Sequence, residues 1–218
     1  MSSGRGAVPR SAAETFDTLY RGDEDPWRVR TDWYERRKRA LALAALPRER
    51  YARALEVGCS TGVMTVELAR RCGRLTALDA SGVAVDLARH EVAAADGLGE
   101  VVVRRAQVPQ DLPAGPYDLV VLSEVGYFLP PADLDELVDR LPSVLAPGAD
   151  VLAVHWRRDP ETLPVPGDEV HRRLARLEGR GAGRRASHVE EPFLLDVWRW
   201  PGEGDGSDPD GADGPRGG

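Results

Sequence analysis

At 218 residues the chain has the length of one α/β domain rather than two independent cores, so a single active site is expected. Hydrophobic residues make up 42% and charged residues 30%, and apolar runs such as Ala40 to Leu46 and Leu119 to Leu122 fall far short of the roughly 20 residues that cross a bilayer, which argues against a membrane protein. The formal charge of −7 lies mainly at the end: five acids against one base from Gly202 onward supply −4, and the nearly balanced body argues against a nucleic-acid partner.

Residues 1–10, rich in Gly, Ser and Arg, lead into no apolar stretch, so disorder rather than a secretory signal is expected and the cytoplasm is the expected location. Ser11-Ala-Ala-Glu14 has capping-box spacing and predicts a helix to about Tyr20, broken by Asp23-Glu-Asp-Pro26. A second helix is expected from Thr31 to Leu46, ending at Pro47, because Trp33, Arg37, Ala40, Leu41 and Ala44 recur at three- and four-residue intervals. Its basic run, Arg36 to Arg39, reads as mainly a solvated face.

From Arg53 short β-type runs alternate with helical segments. Strands are expected at Ala54 to Val57, Leu75 to Leu78, Val101 to Arg104, Asp118 to Leu122 and Val151 to His155. Helices are expected at Val63 to Arg71, Gly82 to Ala95 and Asp133 to Leu145, and this alternation implies a mostly parallel sheet. A helical stretch from Asp168 to Glu178 follows, then a final strand from Phe193 to Trp200 at an antiparallel edge, with Ala186 to Val189 as its hairpin partner. The expected organisation is a single domain over residues 11–201, with residues 11–46 as a helical lid and residues 202–218 as a disordered acidic tail. The two cysteines, Cys59 and Cys72, are too few for a disulfide framework or a zinc site, so reduced thiols and no metal are expected.

Leu55-Glu-Val-Gly58-Cys-Ser-Thr-Gly62-Val carries the most information. An apolar strand enters a glycine-cornered loop, and Val63 opens a helix whose amides can face a carboxylate or phosphate. Gly58 permits a sharp turn; Gly62 permits close approach of a ligand or another backbone. A dinucleotide dehydrogenase would want Gly-x-Gly-x-x-Gly, and here Ser60 replaces the middle glycine and the third is absent. The loop also matches Gly-x-Ser-x-Gly, the nucleophile elbow of serine hydrolases, with Ser60 as nucleophile and His155 and His171 downstream. Against that reading, this is the first strand and no His-Gly-Gly-type loop precedes it. Adenosylmethionine binding explains more. Asp79 ends the second strand, where an acid can accept both ribose hydroxyls or else cap the helix near Ser81, and Ala106-Gln107-Val108-Pro109 offers an amide and an apolar ledge for adenine.

With these loops, Pro116-Tyr-Asp118-Leu-Val-Val-Leu-Ser-Glu124 resembles the fourth-strand motif of class I methyltransferases. Asp25-Pro-Trp27, Trp33-Tyr-Glu-Arg-Arg-Lys38, Leu55-Glu-Val-Gly-Cys59, Ser123-Glu-Val-Gly-Tyr127, His155-Trp-Arg157 and Gly167-Asp-Glu-Val-His171 are similar to the NodS-type N-methyltransferases, over about Phe16 to Trp200. The resemblance implies a Rossmann-like α/β fold, a seven-stranded mostly parallel sheet in order 3-2-1-4-5-7-6 with helices on both faces. It also implies S-adenosyl-L-methionine as cofactor and methylation of an amine, on a chitooligosaccharide in the namesake members. Ser60 departs from the glycine common at that place, and Gly126-Tyr127-Phe128 departs from a bulkier residue followed by two tyrosines.

The expected cofactor contacts are Trp27, Arg37, Glu56, Gly58, Cys59, Gly62, Asp79, Ala80, Gln107, Val108, Ser123 and Glu124. Arg37 would grip the cofactor carboxylate, while Trp27, Trp33 and Tyr34 would pack on its methionine end. An attacking ammonium must lose a proton, and His155 is the first candidate base, with Glu124 the second or the group that orients the amine. Tyr127, Asp168 and His171 are candidates for lining the acceptor pocket. The acceptor is expected to be a small molecule, with an amino sugar as one form. O-methylation and a catalytically inert cofactor-binding protein are the other readings.

Overall fold

The computed structural model describes residues 12–157 and 163–202; expectations for residues 1–10, for Ser11 of the capping box and for the tail from residue 203 lie outside them. Helix α1 spans Ala12–Gly22 and α2 spans Trp33–Ala45. Asp32, not Thr31, sets the start of α2, because its carboxylate accepts the Tyr34 amide at 2.7 Å. Strand β1 (Tyr51–Val57) begins three residues ahead of Ala54, since the Asp118 carboxylate accepts the Ala52 and Arg53 amides at 2.7 and 2.8 Å.

The chain continues through α3 (Val63–Ala69), β2 (Cys72–Asp79), α4 (Gly82–Ala93), β3 (Glu100–Arg105) and β4 (Tyr117–Ser123). It is completed by α5 (Pro131–Arg140), β5 (Leu145–Trp156), α6 (Gly167–Leu174), β6 (Gly183–Val189) and β7 (Phe193–Arg199). The largest departures from expectation adjoin each other: α5 stops at Arg140 instead of running to Leu145, and β5 starts at Leu145 instead of Val151. Pro142 removes a ladder donor, so Leu141–Ser143 tightens into a 3₁₀ turn and the following residues join β5.

The seven strands form one sheet in the order β3-β2-β1-β4-β5-β7-β6. β1 to β5 pair in parallel where they are neighbours, while β7 pairs antiparallel with both β5 and β6. The final strand is therefore interior rather than at the edge; its hairpin partner β6 takes the edge and carries the more exposed side chains. Central strands are buried on both faces, as a parallel sheet requires. Leu55, Val57, Val120, Leu122 and Val151 pack with Leu134, Leu137 and Val170 of α5 and α6 on one face. Ala54, Leu75, Leu119, Val121 and Leu152 pack with Ala42 of α2 and Met64 and Leu68 of α3 on the other. The result is a Rossmann-like α/β sheet whose strand order reverses between β1 and β4, where ligands bind at the carboxyl ends of the strands. No helix among the described residues is long and apolar enough to cross a membrane.

Candidate active site

After Val57 the chain turns through Gly58–Gly62 into α3, with φ of +80° at Gly58, +51° at Ser60 and +84° at Gly62. These left-handed angles suit glycine, and the two glycines have different neighbours. A Cβ on Gly58 would stand 2.9 Å from Val125 Cβ. A Cβ on Gly62 would stand 2.8 Å from the Ala88 Cα of α4, so Gly62 admits a helix rather than a ligand and does not border the cavity described below.

Asp79 closes β2 and braces this turn. One carboxylate oxygen accepts the Ser60 amide and the other the Ser81 amide, both at 2.9 Å. It is not the cap of α4, because Ser81 Oγ fills that role by accepting the Ala84 amide at 3.2 Å. Burial raises the Asp79 pKa, against the opposing pull of the Ser81 and Ser60 amides. Glu56, 2% exposed, is pushed up to about 8 by burial, the nearby Thr65 side chain offsetting part of this, and its Oε2 has no hydrogen-bond partner among the described residues. Gly58 and Asp79 border one cavity of about 820 Å³, and Glu56, Cys59, Ala80, Gln107, Val108 and Ser123 border it too. The two glycine- and aspartate-bearing loops thus open on a single space.

Another part of the cavity wall is charged. Glu124, at φ +56° just beyond β4, accepts the Trp156 amide at 3.2 Å and the Tyr127 hydroxyl on Oε2, and pairs through Oε1 with Lys38 Nζ at 2.7 Å. Lys38 is 5% exposed, lies 2.9 Å from Glu35 Oε1 and stands 4.9 Å from the Tyr34 ring centre. Burial opposes its charge, but Glu124 and Glu35 outweigh burial and hold its pKa above the ordinary lysine value. Burial also raises Glu35, although Lys38 works against it. A third part of the wall is aromatic. Trp27 meets Tyr20 at 5.4 Å between ring centres, and Phe16 meets Phe128 edge-on at 5.0 Å. Asp17 of α1 accepts the Ser81 hydroxyl at 2.5 Å, tying α1 to the start of α4.

Several expected site residues lie elsewhere. His155 is fully buried and absent from the cavity wall; its Nε2 accepts the Gly126 amide at 3.0 Å and its Nδ1 is 3.0 Å from His171 Nε2. It therefore has no free nitrogen to serve as a base in the cavity. His171 is likewise buried, with Nδ1 2.6 Å from Asp196, and does not line an acceptor pocket. Asp168 points outward to Arg157 at 3.1 Å, as expected of a mostly solvated carboxylate beside a guanidinium. Arg37 is held by Glu190 in a bidentate pair at 2.7 and 2.8 Å, away from the cavity. Trp33 is 69% exposed and does not border the cavity, whereas Tyr34 and Tyr127 do. Ser60 Oγ accepts the Tyr20 hydroxyl at 2.7 Å, and the two histidines that a hydrolase would need are committed to Gly126, each other and Asp196.

Sequence reading missed Lys38, Glu35 and Tyr20 as cavity residues. A signal was present for Lys38: it lies three residues after Glu35, a spacing that sets the two side chains side by side on one helix face, while Arg39, paired with Glu67, also borders the cavity.

Residues 54–148 match the family model described as methyltransferase domain. Nodulation protein S from Rhizobium tropici is 35% identical over 133 residues, covering 59% of this chain and 54% of that protein, so the chain spans about half the length of the curated relatives it matches. A crystal structure of a candidate methyltransferase from Pseudomonas syringae is 45% identical, with a TM-score of 0.64, covering 77% of this chain and 99% of that one. The N-methyltransferase NodS from Bradyrhizobium japonicum WM9, solved in complex with S-adenosyl-L-homocysteine, shares the fold at 24% identity and a TM-score of 0.73, covering 86% and 98% of the two chains. With strand order, cavity and near-complete coverage of the Pseudomonas syringae relative in agreement, the chain belongs to the S-adenosylmethionine-dependent methyltransferase family, as a relative of Nodulation protein S.

Proposed function

We propose that this chain transfers the methyl group of S-adenosylmethionine to the amine nitrogen of a small molecule in the cytoplasm. The observation that carries the reading is that Gly58 and Asp79 border the same cavity as Glu124 and Lys38. The residues present fit the cofactor: Asp79 offers acceptors to ribose hydroxyls, Gln107 and Val108 an edge and a ledge for adenine, and the unpartnered Glu56 Oε2 an acceptor for an ammonium group. Bound there, S-adenosylmethionine supplies an electrophilic methyl carbon on a sulfonium.

Everything else falls to the chain. Trp156 and Tyr127 occupy Oε2 of Glu124, while Oε1, buried and ion-paired with Lys38 at 2.7 Å, has no hydrogen-bond partner among the described residues and is the atom assigned to a substrate N–H. Two carboxylates against one ammonium leave the Glu35–Lys38–Glu124 cluster with one net negative charge, which attracts an amine in its protonated form and repels an acid. Glu124 orients the nitrogen and receives the proton that the nitrogen must give up before it can attack. Phe16, Trp27 and Phe128 supply an apolar wall beside the reactants, and fixing both in one space supplies the alignment that effective molarities of about 10⁵–10⁸ M represent. An amino sugar is one acceptor of this class.

Incubation with deuteriomethyl cofactor and a panel of amino sugars, alkylamines, arylamines and phenols, followed by mass spectrometry, tests the proposal. Label on nitrogen is expected. Label on phenolic oxygen alone would turn the reading to O-methylation, and binding of adenosylhomocysteine without transfer to any acceptor would leave an inert cofactor-binding protein.

A further inference from the structure

The His155, His171 and Asp196 chain is buried in the middle of the protein and the reaction described above does not use it. Its members are 0%, 4% and 3% exposed and come from β5, α6 and β7. Burying three titratable side chains costs stability unless every donor and acceptor is matched. Asp196 Oδ1 has only an ion pair with Arg184 at 3.4 Å and no hydrogen-bond partner among the described residues, but the two imidazoles can be matched in one way. Gly126 N–H can only donate, so His155 Nε2 carries the lone pair. A neutral His155 then holds its proton on Nδ1 and donates to His171 Nε2, which leaves the His171 proton on Nδ1, facing Asp196 Oδ2. An added proton on either ring would place N–H against N–H along the chain and ultimately at Gly126. Burial, followed by His171 and Lys38, keeps the His155 pKa well below the usual histidine value, in keeping with the neutral ring.

The free end of this chain reaches the acceptor side of the cavity. Gly126 opens the 3₁₀ turn Gly126–Phe128, and a Cβ there would stand 2.5 Å from Val170 Cγ1 and 3.0 Å from His155 Nε2, so the backbone is pressed onto the imidazole. On one side of Gly126, Val125 packs on Gly58 and Glu124 holds φ +56°; on the other, Tyr127 donates to Glu124 and lies edge-on to His155 at 5.5 Å.

We infer that Asp196, His171 and His155 form a positioning relay: Asp196 fixes the His171 tautomer, His171 fixes that of His155, and His155 fixes the Glu124–Phe128 segment so that Glu124 and Tyr127 face the acceptor. Neither imidazole touches the reacting atoms. The inference rests on the proposed methyl transfer only for its effect on rate.

His155→Leu removes the acceptor for Gly126 N–H, and His155→Gln retains one. The relay predicts that the amide resonances of residues 124–128 shift in the leucine variant and hold in the glutamine variant. With the amine turned over best in the panel, kcat falls about 10- to 100-fold in the leucine variant and recovers to within a few-fold in the glutamine variant. Adenosylhomocysteine affinity stays within about two-fold in both, a split that general loss of packing would not give. Should the leucine variant fail to fold, long-range proton–nitrogen spectra of the unsubstituted protein decide: both rings are expected as Nδ1–H tautomers. An Nε2–H tautomer at His155, or unmoved 124–128 resonances in a folded His155→Leu, would overturn the relay. These spectra need no turnover, so failure of the methyl-transfer reading stays separate from failure of the relay.

Discussion

Two parts of the cavity wall are built in opposite ways. The part proposed for the nucleoside comes from successive strand ends, with Gly58 to Ser60 following β1 and Asp79 closing β2, and each oxygen of its carboxylate accepts one nearby backbone amide. The part proposed for the acceptor gathers Lys38 and Glu35 from α2, Glu124 from beyond β4 and the Trp156 amide from β5, and its charges pair with one another. A site for a ligand whose shape does not change can be written into contiguous loops on a fixed sheet. The acceptor site depends on α2 lying over the sheet, so changes in that helix can alter the acceptor while leaving the cofactor part alone.

Breaking the acceptor part should give the largest effect. Glu124→Gln keeps the shape and removes the charge, and kcat is expected to fall about 10²–10³-fold, the cost of losing one preorganised electrostatic contact. Adenosylhomocysteine affinity measured on the same variant should stay within about two-fold. Equal losses in both would mean that the two parts are not separable.

The nucleoside part has its own signature in pH. Glu56 titrates near 8 in the fold and in the ordinary carboxylate range when unfolded. The folded state therefore binds more protons between those values, and stability falls as pH rises through that window, by about 1.4 kcal/mol per pH unit at most for one group. Urea unfolding from pH 5 to 9 should show this decline, and Glu56→Gln should flatten it. A profile identical in the variant would remove Glu56 as its source.

The smallest effect is expected outside both parts. Arg37→Ala breaks an ion pair with Glu190 whose side chains are 42% and 24% exposed, so a stability change of about 1 kcal/mol or less and unchanged adenosylhomocysteine affinity are expected. A tenfold loss of affinity would restore Arg37 to the cofactor.

This contrast also explains what could be read from sequence. The strand–helix alternation, the glycine turn and Asp79 were legible because each is a local pattern with a local cause, and the resemblance supplied the strand order. Gly62 was legible as a close approach, but whether a ligand or α4 made that approach was not. His155 looked like a base because it ends a strand beside the switch point; its burial depends on Gly126, α6 and β7, which come together only in the fold. Lys38 hid in a basic run because helical phase alone does not say which strand end that face will meet. Arg37, next in sequence, was assigned the contact with the site but faces the β6–β7 turn.

The most direct test is calorimetric titration of adenosylhomocysteine into the unsubstituted protein and Asp79→Ala. Micromolar binding, weakened about 10- to 100-fold by the substitution, is the expected result, since hydrogen bonds to a charged group contribute about 1.5–3 kcal/mol. Equal affinity in both proteins, with Asp79→Ala folded, would contradict a nucleoside held at that strand end.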